Sequence, residues 1–568
     1  MAISKRRLSF IIATLLRRNR ERRHDEEDAT PPQPQIPVAS ISGSPSAVEG
    51  QPLAFTVALS LAAGSALTIP LSYSGTASAG TYSGPASVVV PAGQTSASLS
   101  VSTVDNDVVD SSRTVVVTLQ AGTGYTLGTS SATGTIANDD VAPEVPLMYA
   151  AQNSVIHNST ETRAFTGVAG YWDFYTASGS LSDIAVILTN WYATTAGNVV
   201  DIANALNFTE MSFEINGVIA PIRFSGQRAK TLASGEDDVV SDLVAASAFG
   251  LTSIPTNTLV RVKYKILHAA ANSVMPQSNV TQGRPGYTLW YDPAVVTVSS
   301  VDVPGAYTVS GGANNTNYVS RPFGYQPRIV GKHINRTQPV YVGVGDSITQ
   351  GLMDSASTEA RTRGMGWIYR MLSISDTDFS SPIAYCNLGV ASAPSTLTIN
   401  HPKYRTAYKY ADTATWFHCT NDFAENGTSA TVATCQTRTN QGVGLIKTTT
   451  GSRVKKIIGA KLITRVTSTD SYKTAVNQTY RGTGWQPGDR VSQFNTWLET
   501  QVGVLFDDLI PWNSVRDETT PTLWKTDGVT ANLTCQDGTH PSPNGYVLMG
   551  AEARAVRLRM EAAASARK

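Results

Sequence analysis

Two stretches in the last third of the chain hold residues whose types and spacing suit nucleophilic chemistry. Gly345-Asp346-Ser347-Ile348-Thr349-Gln350-Gly351 follows Pro339-Val340-Tyr341-Val342-Gly343-Val344, the short apolar pattern of a buried strand. A strand running into a glycine-flanked turn exposes a side chain at the carboxyl edge of a parallel sheet, where open α/β folds place their active sites. Ser347 is therefore a candidate nucleophile. Asp537-Gly538-Thr539-His540-Pro541-Ser542 places a carboxylate three positions before a histidine, at the start of a predicted helix. That spacing lets the carboxylate hold one imidazole nitrogen while the other faces a serine hydroxyl. Asp346 reads as a residue that shapes its turn, because Asp537 has the better spacing to a histidine. His418 sits in a strand pattern and reads as core, with His401 in the same region. His24, His157, His268 and His333 have no acid or nucleophile pattern beside them.

The elements that must position these residues also have a pattern. Strand-like Val454-Lys455-Lys456-Ile457-Ile458-Gly459-Ala460-Lys461-Leu462-Ile463 alternates with predicted helices around residues 366–374, 430–448, 490–502 and 544–564, as a parallel sheet with covering helices requires. No Gly-x-Ser-x-Gly occurs, which disfavours the ordinary α/β-hydrolase elbow. Two intermediate blocks stand between the serine and the histidine. Asn387-Leu388-Gly389 follows Ile383-Ala384-Tyr385-Cys386, and Thr420-Asn421-Asp422 follows Trp416-Phe417-His418-Cys419. With the two outer blocks, residues 335–568 resemble the SGNH (GDSL) hydrolase family, with Cys419 standing where the family's third block opens on glycine. The resemblance implies a flavodoxin-like, three-layer α/β/α hydrolase domain acting through an acyl-serine, with no catalytic cofactor. It implies Ser347 as nucleophile, His540 as base and Asp537 as its orienting acid. It also implies an oxyanion hole built from the backbone N–H groups of Ser347 and Gly389 and the side-chain amide of Asn421, with Asp422 as a structural partner of that loop.

Upstream, residues 38–140 change to short alternating apolar stretches between Gly, Ser and Pro. Phe55–Leu59, Ser87–Val90, Ala97–Val101 and Thr114–Leu119 read as strands of a β-sandwich. Glu49-Gly50, Ala77-Ser78-Ala79-Gly80-Thr81-Tyr82, Asp105-Asn106-Asp107 and Gly134-Thr135-Ile136-Ala137-Asn138-Asp139-Asp140 give this stretch a resemblance to a Calx-beta domain. The family binds calcium through acidic loops, which makes Glu49, Asp105, Asp107, Asp110, Asp139 and Asp140 the candidate ligands, since calcium takes clustered oxygens. Two of the family's acidic positions are absent, at Thr81 and at Ser111-Ser112-Arg113; the alternative is a solvated loop on a spacer or adhesion module. Residues 141–334 read as a second β-sandwich, an accessory module with carbohydrate binding as one reading. Trp172, Trp191 and Trp290-Tyr291 are either sugar platforms or core, and core is the commoner fate of such residues.

The first 37 residues join a basic and apolar segment, from Lys5-Arg6-Arg7 to Leu15-Leu16, to arginines and a proline-rich spacer ending at Pro37. Nine mostly apolar residues are too few to span a bilayer; the segment suits attachment to an anionic membrane surface or a particle, or a disordered start. Over the 568 residues 44 basic against 43 acidic side chains leave +1, so the chain lacks the field that non-specific nucleic-acid binding needs. Charged residues are only 15%, a composition that suits an extracellular or surface-associated β-rich protein. Four cysteines, Cys386, Cys419, Cys435 and Cys535, exclude a disulfide framework and leave one or two bridges or buried thiols open. The expected partner is an acylated carbohydrate, and the expected reaction O-deacetylation of a polysaccharide. A lipid esterase and a glycan-binding adhesin or virion spike are the alternatives.

Overall fold

The computed structural model describes residues 35–141, 144–152, 154–278, 286–312, 316–321, 324–336, 338–354, 366–375 and 383–565. The basic N-terminal segment and most of its spacer lie outside them. The protein divides into two compact units, 1–144 and 145–568.

In the first unit two five-stranded sheets share one core. Leu53–Leu59 lies centrally in one, between Val38–Ser42 and Ser96–Thr103, and Arg113–Leu119 lies centrally in the other, between Ser131–Ala137 and Leu67–Ser74. Alternation makes the sandwich: Leu53, Phe55, Val57 and Leu59 point inward while Ala54 and Thr56 face solvent. Phe55 pairs with Leu99 across the ladder, and both meet Val115 and Val117 of the facing sheet in the same core.

The second unit begins with an antiparallel seven-stranded sheet, whose central strands are Gly167–Tyr175 and Leu259–Leu267. Its inner face, with Trp172, Phe174, Val262 and Trp290, packs on Ile184, Val186 and Leu188 of a smaller antiparallel sheet in a β-sandwich-like pair. The smaller sheet holds Ser180–Leu188 against Arg328–Ile334. The run Ile184-Ala185-Val186-Ile187-Leu188 lacks alternation because both of its faces are buried. Ala185 and Ile187, on the opposite face, belong to the core that also contains Tyr341, Trp367 and Tyr385. Packing is therefore continuous across the boundary expected near residue 334. Ser154–Val155 even pairs with Cys386-Asn387 as an edge strand of the next sheet.

That sheet is parallel throughout. From residue 335 onward its strands, in spatial order, are Tyr385–Asn387, Tyr341–Gly345, Thr413–Phe417, Lys456–Ala460 and Asp508–Ile510. Numbered along the chain this order is 2-1-3-4-5, so the direction of winding reverses beside Tyr341–Gly345, where open parallel sheets leave a crevice at their carboxyl ends. The helix Gly366–Leu372 packs on Pro543–Ser565, and Val432–Thr448 packs on Arg490–Glu499. The strand expected over residues 454–463 is shorter, because the Lys461 N–H makes the last bond to the neighbouring strand, at Ile510, and the Leu462 N–H turns to the Asn495 side chain.

A buried ion pair anchors the turn after Ser347 to its neighbouring helix. Arg370 pairs with Asp354, both almost wholly buried, and Asp354 also accepts the Gly366 N–H at 2.9 Å. Removing one partner of such a pair strands a buried charge. Arg370→Ala is expected to lower the unfolding free energy of the 145–568 unit by about 3–5 kcal/mol, read from urea denaturation; a loss below about 1 kcal/mol contradicts this account.

Candidate active site

Three loops at the carboxyl ends of adjacent parallel strands bring the candidate residues together. Ser347 follows Tyr341–Gly345 directly and opens a one-turn helix, Ser347–Gln350, closed by Gly351 in the left-handed conformation. At this first helical position a backbone N–H has no intrahelical acceptor. Asp346 caps the turn by accepting the Ile348 N–H at 3.0 Å, the turn-shaping role expected of it.

The Asp537–His540 segment approaches from the far end of the chain. Asp537 Oδ1 accepts the backbone N–H groups of Thr539 (2.9 Å) and His540 (2.7 Å), a turn that leaves Oδ2 for the imidazole. His540 Nδ1 donates to Asp537 Oδ2 at 2.8 Å, and the Ser347 hydroxyl donates to His540 Nε2 at 2.8 Å. The carboxylate fixes the tautomer, since an N–H on Nδ1 leaves Nε2 as acceptor. Burial works to raise the Asp537 carboxyl, but the bonds from the His540 side chain and backbone outweigh it and hold it well below the usual carboxylate range. Gly538 makes the turn possible: its φ is +85°, and a Cβ there would lie 1.7 Å from the Val466 carbonyl oxygen. Ser542 then caps the last helix through the Gly545 N–H, with Pro543 at the first helical position, where its missing N–H costs nothing.

The other two loops complete the arrangement, with one difference from expectation. Gly389 lies so close to the serine turn that a Cβ would fall 2.3 Å from the Gln350 nitrogen. Its N–H, however, donates to Asn387 Oδ1 at 2.8 Å, and so closes its own turn instead of standing open as an oxyanion donor. Asn387 in turn donates to the Thr349 carbonyl, which ties this loop to the serine turn. Asn421 donates one amide hydrogen to the Ala393 carbonyl at 3.2 Å. Asp422 accepts from Ser395 N and Oγ and from Arg438, clamping the 389–395 loop to the Asn421 turn as expected.

Cys419 takes the place of the expected glycine, and the backbone shows what that position demands: φ is +89° and ψ −7°, a left-handed conformation rarely taken by a residue with a Cβ. All four cysteines are free and buried, and burial pushes the thiols of Cys419 and Cys535 up. Cys535 Sγ accepts the Gly538 N–H and so supports the Asp537 turn.

Asp346 is the costly group. Burial pushes its carboxyl up to about 6, against the Ile348 N–H and the Arg465 charge, and its Oδ2 has no hydrogen-bond partner within reach.

Sequence reasoning missed Arg465, Arg481 and Glu425, which surround Asn421 and the Asp537 turn. The available signal is the position of Arg465 just beyond the carboxyl end of Lys456–Ala460, the edge on which the other site residues stand. Of the remaining histidines, His157, His268, His333 and His418 are buried, and burial lowers each of them. His401 is half-buried between the short helices Thr396–Asn400 and Pro402–Arg405, and His24 lies outside the described residues. Trp172, Trp191, Trp290 and Tyr291 are core residues, not sugar platforms, because their strands turn them into packed interiors.

The six candidate calcium ligands of the first unit fall into two sets. Asp140 is raised by desolvation and by Asp107, Asp139 and Asp105, so these carboxylates do gather at one end. But Asp110 is paired with Arg113 and Glu49 accepts from the Asn106 amide. Among the described residues no group of three or more His, Cys, Asp or Glu side chains is arranged to hold a metal. Nor is any described helix long and apolar enough to cross a membrane.

No family model and no curated protein matches the chain. Among solved structures, the apo-form Calx CBD1 domain matches at 20% identity over 19% of this chain and 100% of that one, with a TM-score of 0.17. The calcium binding domain CBD12 of CALX1.1 matches at 15% identity over 36% of this chain and 73% of that one, and CBD12 from CALX1.2 at 12% over 42% and 78%, both with TM-scores of 0.18. At such TM-scores the likeness carries no functional inference; the β-sandwich of the first unit rests on its own strand pairing.

Substitutions at two positions, Asp346 and Cys419, test these local costs. The folded Asp346 carboxyl titrates near 6 and an unfolded one near 3.8. The native state thus holds a proton that the unfolded chain releases between those values, and wild-type stability falls as pH rises through that window. Asp346→Asn keeps the capping oxygen and does not titrate, so its stability relative to wild type rises by about 2–2.5 kcal/mol between about pH 4 and about pH 7. Urea unfolding at each pH reads the difference, and a difference flat with pH refutes it. At Cys419 both Gly and Ala remove the thiol, but only Gly relaxes the left-handed backbone. Cys419→Gly is expected to be more stable than Cys419→Ala by about 1–2 kcal/mol, measured by the same denaturation; equal stability means that the position is unstrained.

Proposed function

We propose that the chain is an SGNH-type serine esterase, that residues 335–568 form its flavodoxin-like three-layer α/β/α hydrolase domain, and that it removes O-acetyl groups from an extracellular or surface polysaccharide. The observation that carries the reading is one imidazole placed 2.8 Å from a serine hydroxyl on one side and 2.8 Å from a carboxylate on the other. His540 Nε2 takes the hydroxyl proton as Ser347 Oγ bonds to the ester carbonyl carbon. The tetrahedral intermediate collapses when His540 returns that proton to the departing sugar oxygen, leaving acetyl on Ser347. Water then attacks the acyl carbon, loses its proton to His540, and acetic acid departs as Ser347 recovers its hydrogen. Asp537 stays ionised throughout and stabilises the imidazolium. The charge on the tetrahedral oxygen faces the Ser347 N–H and the second hydrogen of the Asn421 amide. Gly389 joins them only by releasing Asn387.

The substrate class rests on the modules upstream. β-rich units ahead of an esterase hold it against a polymer and raise the effective concentration of its ester groups. The half-buried Tyr171 and Tyr287 stack with ring centroids 5.7 Å apart beside the Arg261–Asp173 ion pair, which sets apolar ring area next to polar handles, the combination that sugars use. A surface location follows from the same reading.

A fluorophosphonate label is expected on the peptide carrying Ser347, and acetate release from acetylated glycans is expected to fall by about 10⁴-fold or more in Ser347→Ala and His540→Ala, with the fold retained. Wild-type turnover in either variant ends the assignment. Turnover confined to long acyl chains replaces polysaccharide deacetylation with lipid hydrolysis, and tight glycan binding without any turnover replaces it with adhesion.

A further inference from the structure

Among the described residues Arg465 hydrogen-bonds to none of Ser347, His540 and Asp537, but it holds the oxygen of Asn421 beside them. Its guanidinium is almost buried and forks: Nη2 donates to Asn421 Oδ1 at 2.8 Å, and Nη1 donates to Glu425 Oε2 at 2.9 Å. The Trp485 ring lies 5.7 Å from its central carbon. Glu425 also accepts from Arg481, which donates to the backbone carbonyls of Asp537 and Val466. A single ion triad therefore touches both flanks of the reacting centre, the Asn421 amide on one and the Asp537 turn on the other.

The chemistry of the partners leaves the amide one orientation. Guanidinium has donors only, so the face of Asn421 turned to Arg465 must carry its oxygen. A carbonyl has lone pairs only, so the face turned to Ala393 must carry the amide nitrogen. One amide hydrogen goes to Ala393, and the second is left for a developing negative oxygen. Without Arg465 the amide is held at one end alone and can rotate or flip.

We propose that Arg465 is a positioning residue for ester hydrolysis: forked between Glu425 and Asn421, it locks the Asn421 side chain with its N–H toward the oxygen that becomes negative in the tetrahedral intermediate. The proposal rests on the Ser347 esterase reading. Lysine at this position keeps the charge but cannot span both acceptors with a planar fork, and glutamine can offer Asn421 either an oxygen or an N–H. The effect is confined to the transition state, so it appears in kcat and leaves KM nearly unchanged.

The test is steady-state hydrolysis of p-nitrophenyl acetate by the full chain, comparing wild type, Ser347→Ala, Asn421→Ala, Arg465→Lys, Arg465→Gln and the Asn421→Ala/Arg465→Lys double variant, with a thermal melt beside each. Arg465→Lys is expected to lower kcat about 10- to 100-fold with KM within about 2-fold, and Asn421→Ala about 10²- to 10³-fold. In the Asn421→Ala background the lysine substitution is expected to cost less than about 2-fold, because the residue it acts through is gone. The same loss in both backgrounds, a loss carried by KM, or wild-type kcat in Arg465→Lys and Arg465→Gln overturns the proposal. If Arg465→Gln fails to fold, Arg465→Lys, which keeps charge and most of the volume, decides alone. A Ser347→Ala protein as fast as wild type sinks the esterase reading itself; an inactive Ser347→Ala beside a fully active Arg465→Lys sinks only the positioning role.

Discussion

The hydrogen bond between Ser347 Oγ and His540 Nε2 joins groups 193 positions apart, and it forms only when two separately packed elements are both in place. Ser347 is set by the end of a buried parallel strand and a capped turn. His540 is set by the first residues of the last helix, which packs on Gly366–Leu372 and fixes Leu352 through the Tyr546 hydroxyl. The reversal of strand order beside Tyr341–Gly345 opens the crevice in which these ends meet, so the loops after three neighbouring strands face one volume. Asn387, Gly389 and Asn421 are brought there by the same geometry. Without it each would be an ordinary loop residue.

Local costs concentrate at that crevice. Asp346 is a buried carboxyl with an orphan oxygen, Cys419 sits at a positive φ, and Arg465 carries a charge into a nearly closed site. Strain and buried charge of this kind persist only where surrounding packing over-determines them. Here the surroundings are Trp367, Phe417 and Trp512, whose rings meet edge-on beneath the sheet's carboxyl edge, and the Asp354–Arg370 pair that ties the serine turn to its helix.

The upstream β-rich region of the second unit is not a detachable appendage. Ser180–Leu188 buries one face in the sandwich core and the other in the core of the parallel sheet, and Ser154–Val155 extends that sheet beside Cys386-Asn387. Loops of the β-region also reach the 389–410 stretch: a Cβ at Gly197 would press on Pro394, Lys403 pairs with Asp201, and Lys409 pairs with Asp238. The β-region and the loop that carries Gly389 therefore share packed side chains and not merely a linker.

Strong periodic segments were readable along the chain: the strands around Phe55 and Val115, the buried strand before Ser347, and the helices near 432–448 and 543–565 all lie where apolar spacing places them. Local turn chemistry was readable too, since Asp537 bonds to residues two and three positions on, and Ser542-Pro543 starts a helix by capping rules that involve no distant partner. Leu67–Ser74 and Arg328–Ile334 escaped: the first alternates but is interrupted by Pro70, which reads as a strand breaker, and the second is buried on both sides and lacks alternation. Legible in the chain alone were the residue types suited to nucleophilic chemistry and the turns that present them. The tertiary structure alone makes the tryptophans core and sets Arg465 on Asn421. Each of those depends on which side chains meet across the sheet's edge, and contacts between groups far apart in sequence leave no period or spacing to read.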